Sequence, residues 1–353
     1  MQRSLVGSEM CIRDRLYAAS DLFNKPEEWA PGYTHKEYIS MQDGKSQQER
    51  WEEAAAACND FITTLGNKYP MDEYRLIRDY QNGEIIFDRR YGSTNTFEKN
   101  NYPVGYNLGQ SGNTPSQNLV DAYEMIDGTP FDWNNPEHKS NPYANRDPRL
   151  AMSILTNNVE FKDRTIEAWT GGRDGKGVIH ATRTGYYIYK FIDPNLDLLQ
   201  NRTSVHHWVI MRYAEILLSY AEAMNEAYGP TGNVGYRLNA VRALNQVRNR
   251  VGVEMPAVPT AISKEELREK IRNERRVELA FEDHRFWDVR RWMIAPETLG
   301  APLRGVEITK ISDEEFEYKP IEVEKRTFEP KMYLYPIPQA DLNTTGWVQN
   351  PLW

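Results

Sequence analysis

The sequence has few cysteines, no excess of positive charge and no long apolar segment. Its 353 residues include only Cys11 and Cys58, too few for a disulfide scaffold or a cysteine-based zinc site. Lys and Arg total 43 against 51 Asp and Glu, and this acidic balance argues against nucleic acid, because excess cations supply affinity for phosphate. No apolar run approaches the roughly 18 to 20 residues that a membrane helix needs.

What the chain does have is aromatic side chains. It contains 21 Tyr, 9 Trp and 11 Phe, together 12% of the residues, although its mean hydropathy is only −0.72. Aromatic rings in so polar a chain are typical of stacking surfaces.

The opening segment, residues 1–15, reads MQRSLVGSEMCIRDR. It has no apolar core of a secretory signal, and residues 8–10 lack the aliphatic and small side chains that precede a lipid-acceptor cysteine, so Cys11 is not one. The string resembles a translated sequencing adaptor joined to a gene fragment. We therefore predict that 1–15 is non-native, that native protein begins near Leu16, and that the segment is extended or poorly ordered and makes no consistent packing.

The rest of the chain divides into a loop-rich part and a helical part. An amphipathic helix is predicted from Trp51 to Leu65. Residues 69–149 are rich in Gly, Asn, Pro and Tyr, and loops this long are usually functional or disordered; their many aromatic residues argue against disorder. Within 150–210, the alternating runs 150–155 and 185–191 predict short strands. Between 211 and 294, apolar stripes predict two helices ending at Gly229 and Gly252, a pair whose size suits a tetratricopeptide-type hairpin.

A third helix is predicted after Ser263, which with Glu266 forms a capping box, and we extend it to about Met293. If this helix is continuous, Glu274, Glu278 and Arg285 lie on its apolar stripe. Buried charges persist only when they are paired, so we predict a structural ion-pair cluster. Its basic partners are expected among Arg146, Arg149 and Arg212.

The same two glutamates also permit an enzymatic interpretation, as the acid/base pair of a glycoside hydrolase. We favour the structural one, since nearby cations would hold both carboxylates ionised. The glycine-rich turn 171–177 lacks the spacing of a phosphate loop, and His284 with Asp288 lacks a third metal ligand. An irregular calcium site at 193–204 is left open. We predict no catalytic residues, no cofactor and no metal.

Aromatic side chains in the loops are the remaining ligand candidates. Trp133 and Trp169 lie in polar, turn-rich segments, where each is either a local packing anchor or a platform on which a ligand stacks. Together with Tyr91, Tyr102 and Tyr106 they form the predicted ligand-binding set.

The helix after Ser263 carries a recognisable motif, RNERRVELAFEDHRFWD at 272–288. This run resembles the signature of the SusD/RagB family. Other segments resemble family motifs in the same order: RYAEILL, ALNQVR, YANRDPRL, and the ending YPIPQ followed by QNP. Together they extend over about residues 51–353.

The resemblance implies a mostly α fold, an α-α superhelix of tetratricopeptide-like hairpins with a long excursion of loops and short strands. It implies a non-enzymatic, surface-exposed lipoprotein of the cell outer membrane. Such a protein captures oligosaccharides or polysaccharides as the lid of a SusC-like TonB-dependent transporter, and meets the membrane only through a lipid anchor. Peptide cargo, and a protein-interaction scaffold that binds no sugar, are left as alternatives.

Family members are usually longer at the front, so the resemblance also implies a C-terminal fragment. We expect residues 16–353 to form one domain with its ligand face at about 69–210. We also expect an exposed apolar patch on the Trp51 to Leu65 helix, where missing hairpins would dock. The motifs belong to the scaffold, and no ligand residue is transferred from them.

Overall fold

The computed structural model describes residues 2–353, with side chains from Cys11 onward. Its α-helices are α1 Gln2–Ala19, α2 Asp21–Asn24, α3 Pro26–Trp29, α4 Gln47–Leu65, α5 Thr96–Asn101, α6 Gln117–Val120, α7 Pro136–Ser140, α8 Arg149–Ser153, α9 Tyr213–Tyr228, α10 Ala240–Arg248, α11 Lys264–Glu278, α12 Arg285–Arg291, α13 Ala295–Thr298 and α14 Gln339–Thr345. Short 3-10 helices occupy Lys36–Tyr38, Gly66–Lys68, Tyr74–Arg78 and Pro330–Tyr333. The strands are β1 Ile85–Arg90, β2 Ile154–Leu155, β3 Glu160–Phe161, β4 Arg164–Thr165, β5 Tyr187–Ile188, β6 His207–Arg212, β7 Leu303–Lys310 and β8 Phe316–Glu324.

The helical layer is centred on α9, which packs against α4, α10 and α11. Small side chains such as Ala214, Ala221 and Ala223 are fully buried on it, so the neighbouring helices approach closely. Cys58 of α4 lies in the same core. As predicted, α9 ends at Gly229, whose positive φ of 76° closes the helix.

Helix α11 begins as predicted, with the reciprocal capping box of Ser263 and Glu266. The prediction that it continues to about Met293 is wrong, because α11 ends at Glu278. Two non-glycine residues with positive φ, Phe281 at 63° and Asp283 at 64°, turn the chain before α12 begins.

The opening segment is helical, which corrects the expectation that it is extended. The structure describes the backbone of the predicted foreign segment from Gln2 and its side chains only from Cys11. Within that part Ile12 is buried in the helical core, and Arg13 pairs with Glu215 of α9.

Helix α4 does not carry the exposed apolar patch that we predicted. Trp51 and Ala55 are buried in the core, and Ile62 and Leu65 pack partly against it. Helices α1 and α9 both contact α4, so its apolar face is covered on two sides.

The loop-rich part has its own core, in which aromatic side chains such as Tyr123, Tyr186 and Tyr187 pack among aliphatic ones. Its strands pair antiparallel in twos, as β1–β6, β2–β5 and β3–β4. Of the two predicted strand segments, 150–155 and 185–191, only Ile154–Leu155 and Tyr187–Ile188 form strands, as the pair β2–β5. Residues 150–153 belong to α8 instead. The longest pair, the β7–β8 hairpin, lies after the helical layer and has no counterpart in the sequence predictions. None of the described helices has the length and apolar character that a membrane span requires.

Candidate ligand-binding site

Four aromatic side chains from three segments lie in contact, and we call them the aromatic row. Trp169, Phe316 and Tyr143 are half-buried, whereas Tyr318 is buried, at 8% exposure, and joins Phe316 to Tyr143. The ring centroids of Trp169 and Phe316 are 5.3 Å apart. Those of Phe316 and Tyr318 are 6.4 Å apart, and Tyr143 meets Tyr318 edge-on at 5.3 Å. These separations are typical of aromatic rings in contact.

Local structure explains how each ring is placed. Phe316 and Tyr318 alternate along β8 and therefore project from the same face of the hairpin. Trp169 is held by the glycine-rich turn that follows it. A Cβ on Gly172 would lie 3.0 Å from the indole ring, and one on Gly175 would collide with the Trp169 carbonyl oxygen. The glycines therefore let the turn close tightly around the indole.

Beside the row lies a groove of about 550 Å³ between the hairpin tip and the loops at 140–148 and 156–159. The accessible side chains that line it include Tyr143, Asn158, Glu315 and Phe316, while Asn157 and Tyr318 are buried in its wall. Glu315 and Asn158 are exposed. Carboxylate and amide groups next to rings can accept and donate hydrogen bonds to hydroxyls while a ring covers an apolar face.

Of the ligand candidates named from the sequence, only Trp169 belongs to this row. Trp133 lies elsewhere, with its indole Nε1 donating to Asp121 Oδ1 at 3.0 Å and its ring edge-on to Phe131. Tyr91 is 45% exposed beyond the end of β1, with the Arg89 guanidinium over its ring. The three candidates are therefore not brought together in one place.

The structure contradicts the prediction that Tyr102 and Tyr106 bind a ligand. Both are buried, at 2% and 7% exposure, and both rings pack edge-on to Phe161. The Tyr102 hydroxyl donates to the Asp193 carbonyl and the Tyr106 hydroxyl to the Phe161 carbonyl. Their rings and hydroxyls serve the second core and are not available for stacking on a ligand.

Phe316 and Tyr318 were not among the ligand-binding residues predicted from the sequence. Their segment alternates charged and aromatic residues, as EFEYK at 315–319, a period of two that is typical of a half-exposed strand. That alternation was the available signal.

The predicted ion-pair glutamates, Glu274 and Glu278, are buried in what we call the ionic cluster. Arg149 donates to Glu278 Oε2 at 2.8 Å and also reaches Glu274. Arg212 donates to Glu278 Oε1 at 2.7 Å, and Arg248 donates to Glu274 Oε2 at 2.8 Å. Two of these arginines, Arg149 and Arg212, were named from the sequence.

Other members of the cluster come from distant segments that the sequence did not connect. Arg212 also binds Glu84 and Glu282, and Lys190 binds Glu282 at 2.7 Å. Arg250 joins Glu84 to Glu278. The cluster therefore fastens the helical layer to β1, β6 and the loop-rich part.

Two residues assigned to this cluster lie outside it. Arg146 donates to the backbone carbonyls of Val120, Tyr123 and Pro142 and pairs with neither glutamate. Arg285 was placed in the cluster by extending α11 as one helix, and that assignment is wrong because the chain turns after Glu278. Arg285 instead begins α12 and lines a separate cavity.

The electrostatics keep the cluster ionised. Burial alone would raise the pKa of Glu278, but Arg250, Arg212 and Arg149 outweigh it and hold that pKa well below its ordinary value. Burial likewise opposes ionisation of Glu282, and Arg212 with Lys190 lowers its pKa to about 2. A carboxylate that is 0% exposed, as Glu278 is, and held by three arginines has neither the proton nor the access that a general acid needs.

These pKa values predict how stability depends on pH. Glu282 has a lower pKa folded than unfolded, so its contribution is present above the unfolded value of 4.5 and is lost as pH falls toward about 2. Glu278 and Asp288, whose pKa values are also lowered, add in the same direction. We expect the free energy of unfolding, measured by urea titration, to fall between pH 4.5 and pH 2. A value constant over that range would contradict the pairing.

No group of three or more His, Cys, Asp or Glu side chains is placed to hold a metal ion within the described part of the chain.

The chain is similar to known proteins over much of its length. The SusD family model matches residues 83–353. SusD-like protein P2 of Formosa agariphila is 34% identical over 120 residues, which cover 33% of this chain and 22% of that protein.

Two solved structures from Bacteroides fragilis are similar in fold. A SusD-like protein superposes with a TM-score of 0.71 at 29% identity and covers 86% of this chain, which in turn covers 62% of that protein. A SusD-like carbohydrate binding protein superposes with a TM-score of 0.70 at 26% identity, covering 95% of this chain and 69% of its own. The mostly α, tetratricopeptide-like fold predicted from the sequence is thereby confirmed.

Proposed function

The chain belongs to the SusD family, and from that premise we propose that it binds glycans at the cell surface and captures oligosaccharides for a TonB-dependent outer-membrane transporter. The observation that carries this proposal is the aromatic row beside a groove that is lined by both polar and apolar side chains. Sugar rings have an apolar face that stacks on aromatic rings and hydroxyls that need hydrogen-bond partners. The row and the side chains of the groove offer both within one surface.

The similarity to a SusD-like carbohydrate binding protein of B. fragilis supports the same proposal. The chain spans only 62% of the other B. fragilis relative. We therefore also propose, as features of the whole protein, a TonB-dependent transporter as partner, a location at the outer membrane and attachment through a lipid anchor. The competing glycoside hydrolase would use Glu274 and Glu278, and these side chains are sealed inside the ionic cluster.

The size of the site predicts modest affinity. A ring covered on one face by a sugar loses about 50 to 100 Å² of surface from contact with water, which is worth roughly 1 to 2.5 kcal/mol. Two or three such contacts with hydrogen bonds, less the cost of association, imply binding that is roughly micromolar to millimolar. Affinity of that order suits a receptor that must release its cargo.

Affinity electrophoresis tests the proposal. Native gels containing single neutral or acidic polysaccharides should retard the protein in at least one case, relative to a gel without polysaccharide. Bovine serum albumin in the same lanes controls for sieving. If no polysaccharide of a broad panel retards the chain, and a glycan array is also blank, a protein-interaction scaffold explains the fold better.

A further inference from the structure

A second cavity, of about 330 Å³, lies between α6, the start of α12, α13 and β7. We call it the arginine cavity after its four cationic lining residues, Arg276, Arg285, Arg304 and Arg326. Its acidic lining residues are Asp121 and Glu297. The four guanidinium groups therefore face only two carboxylates, in a chain whose net charge is −8.

The available carboxylates neutralise little of this charge. Asp121 Oδ2 accepts from Arg304 Nη2 at 2.7 Å, while Asp121 Oδ1 accepts from Gln117 at 2.7 Å and from Trp133 at 3.0 Å. Asp121 thus already accepts three hydrogen bonds. Glu297 is exposed and has no ion pair within the described part of the chain. Arg326 pairs outside the cavity, with the exposed Glu324 at 3.0 Å.

Two arginines remain without a counter-ion. Arg276 donates to the backbone carbonyl of Asn118, and among residues 2–353 the described side chains give neither Arg276 nor Arg285 an ion pair. Burial first, and then the nearby charge of Arg276, lowers the pKa of Arg285 to about 9. Burial also lowers the pKa of Arg276. Like charges in a partly buried wall destabilise each other, and a bound anion would relieve both.

We propose that the arginine cavity binds the anionic substituent, a carboxylate or a sulfate ester, of an acidic oligosaccharide. This inference rests on the proposed glycan binding and adds the substrate class to it. Planar guanidinium groups pair with such oxyanions through two parallel hydrogen bonds. The cavity is large enough for about one sugar unit with its substituent.

The neighbourhood of the cavity favours a sugar-borne anion over a free one. The indole of Trp133 is hydrogen-bonded to Asp121, which lines the cavity. A sugar ring near Trp133 would therefore place a carboxylate or sulfate within reach of the guanidinium groups. The sequence candidate Trp133 acquires a specific role under this proposal, distinct from that of the aromatic row.

Isothermal titration calorimetry at low ionic strength tests the proposal, because screening by salt weakens such contacts. The probes are a uronate oligosaccharide, a sulfated oligosaccharide, the carboxyl-reduced and desulfated forms of each, and inorganic sulfate and phosphate. We expect the wild-type chain to bind at least one acidic probe about tenfold or more tightly than its neutral form. Arg285→Gln should abolish that preference and leave affinity for the neutral form unchanged.

Arg242→Gln is the matched control, since Arg242 is exposed on α10 and should leave the preference intact. Arg285→Gln removes a repelled charge, so its melting temperature should not fall. If Arg285→Gln does not fold, Arg326→Gln is the second variant, because Arg326 pairs with the exposed Glu324 and its replacement should cost little stability. This variant should reduce the preference for the acidic probe several-fold.

Four results would overturn the proposal. Equal affinity for acidic and neutral forms would refute it and leave glycan binding standing. Tight binding of inorganic sulfate with no preference for acidic glycans would make the cavity a site for free anions. A preference that survives both arginine substitutions would place the anion elsewhere. If no glycan of either kind binds, the proposed function fails together with the inference.

Discussion

Replacing Glu278 by alanine should lower the free energy of unfolding by about 3 to 5 kcal/mol, the range for breaking a buried ion pair. Glu278 is the acceptor for Arg149 at 2.8 Å and Arg212 at 2.7 Å, and also for Arg250. Without it, these guanidinium groups share the remaining carboxylates in an interior that water does not reach. Urea denaturation followed by circular dichroism measures the change.

Glu269→Ala provides a matched control on the same helix. Glu269 is exposed and, among the described side chains, pairs only with Arg272, at 2.9 Å, so its loss should cost no more than about 1 kcal/mol. If Glu278→Ala unfolds at the wild-type urea concentration, the cluster is not what joins the helical layer to the loops. Normal stability combined with loss of a hydrolytic activity would instead favour the glycoside hydrolase.

Replacing Trp169 or Phe316 by alanine should weaken glycan binding roughly 5- to 70-fold, the equivalent of about 1 to 2.5 kcal/mol for one stacked ring. Both side chains are only partly buried, so thermal stability should change far less than it does for Glu278→Ala. Affinity electrophoresis on the polysaccharide that retards the parent protein measures the loss.

Trp347→Ala is the control for this second prediction, because Trp347 is 62% exposed and lies outside the aromatic row. Its mobility should equal that of the parent. If both row variants keep the parent's retardation while Trp133→Ala or Tyr91→Ala loses it, the stacking surface lies at one of those two other candidates.

The features that could be predicted from the sequence are those that neighbouring residues determine by themselves. Ser263 and Glu266 satisfy backbone donors within four residues of each other, and Gly229 closes α9 by its own conformation. Neither feature depends on distant parts of the chain. The need for buried pairing at Glu278 was equally visible, since an apolar stripe fixes which side chains point inward.

What failed depended on contacts between distant segments. Just after α11 ends, Glu282 forms ion pairs with Arg212 and Lys190 in the interior. Because the helix ends at Glu278, Arg285 does not lie on its apolar stripe and is not part of the ionic cluster. Tyr102 is buried, and its hydroxyl donates to backbone carbonyls of the segment at 193–196. No spacing in the sequence relates these positions to one another.

The aromatic row shows the same limit. Trp169 was found because an indole in a polar turn is conspicuous, but its neighbour Phe316 comes from a hairpin far along the chain. The alternation at 315–319 indicates a strand, although it gives no information about which loop the strand will meet. Candidate rings could therefore be named from the sequence, while their grouping required the fold.

The most direct test of glycan binding at the aromatic row is a crystal structure of the chain with an oligosaccharide from the polysaccharide that retards it. We predict a sugar ring stacked on Trp169 or Phe316, with its hydroxyls bonded to side chains of the adjoining groove. A sugar bound at full occupancy on another face, with the row and groove holding only solvent, would contradict the account.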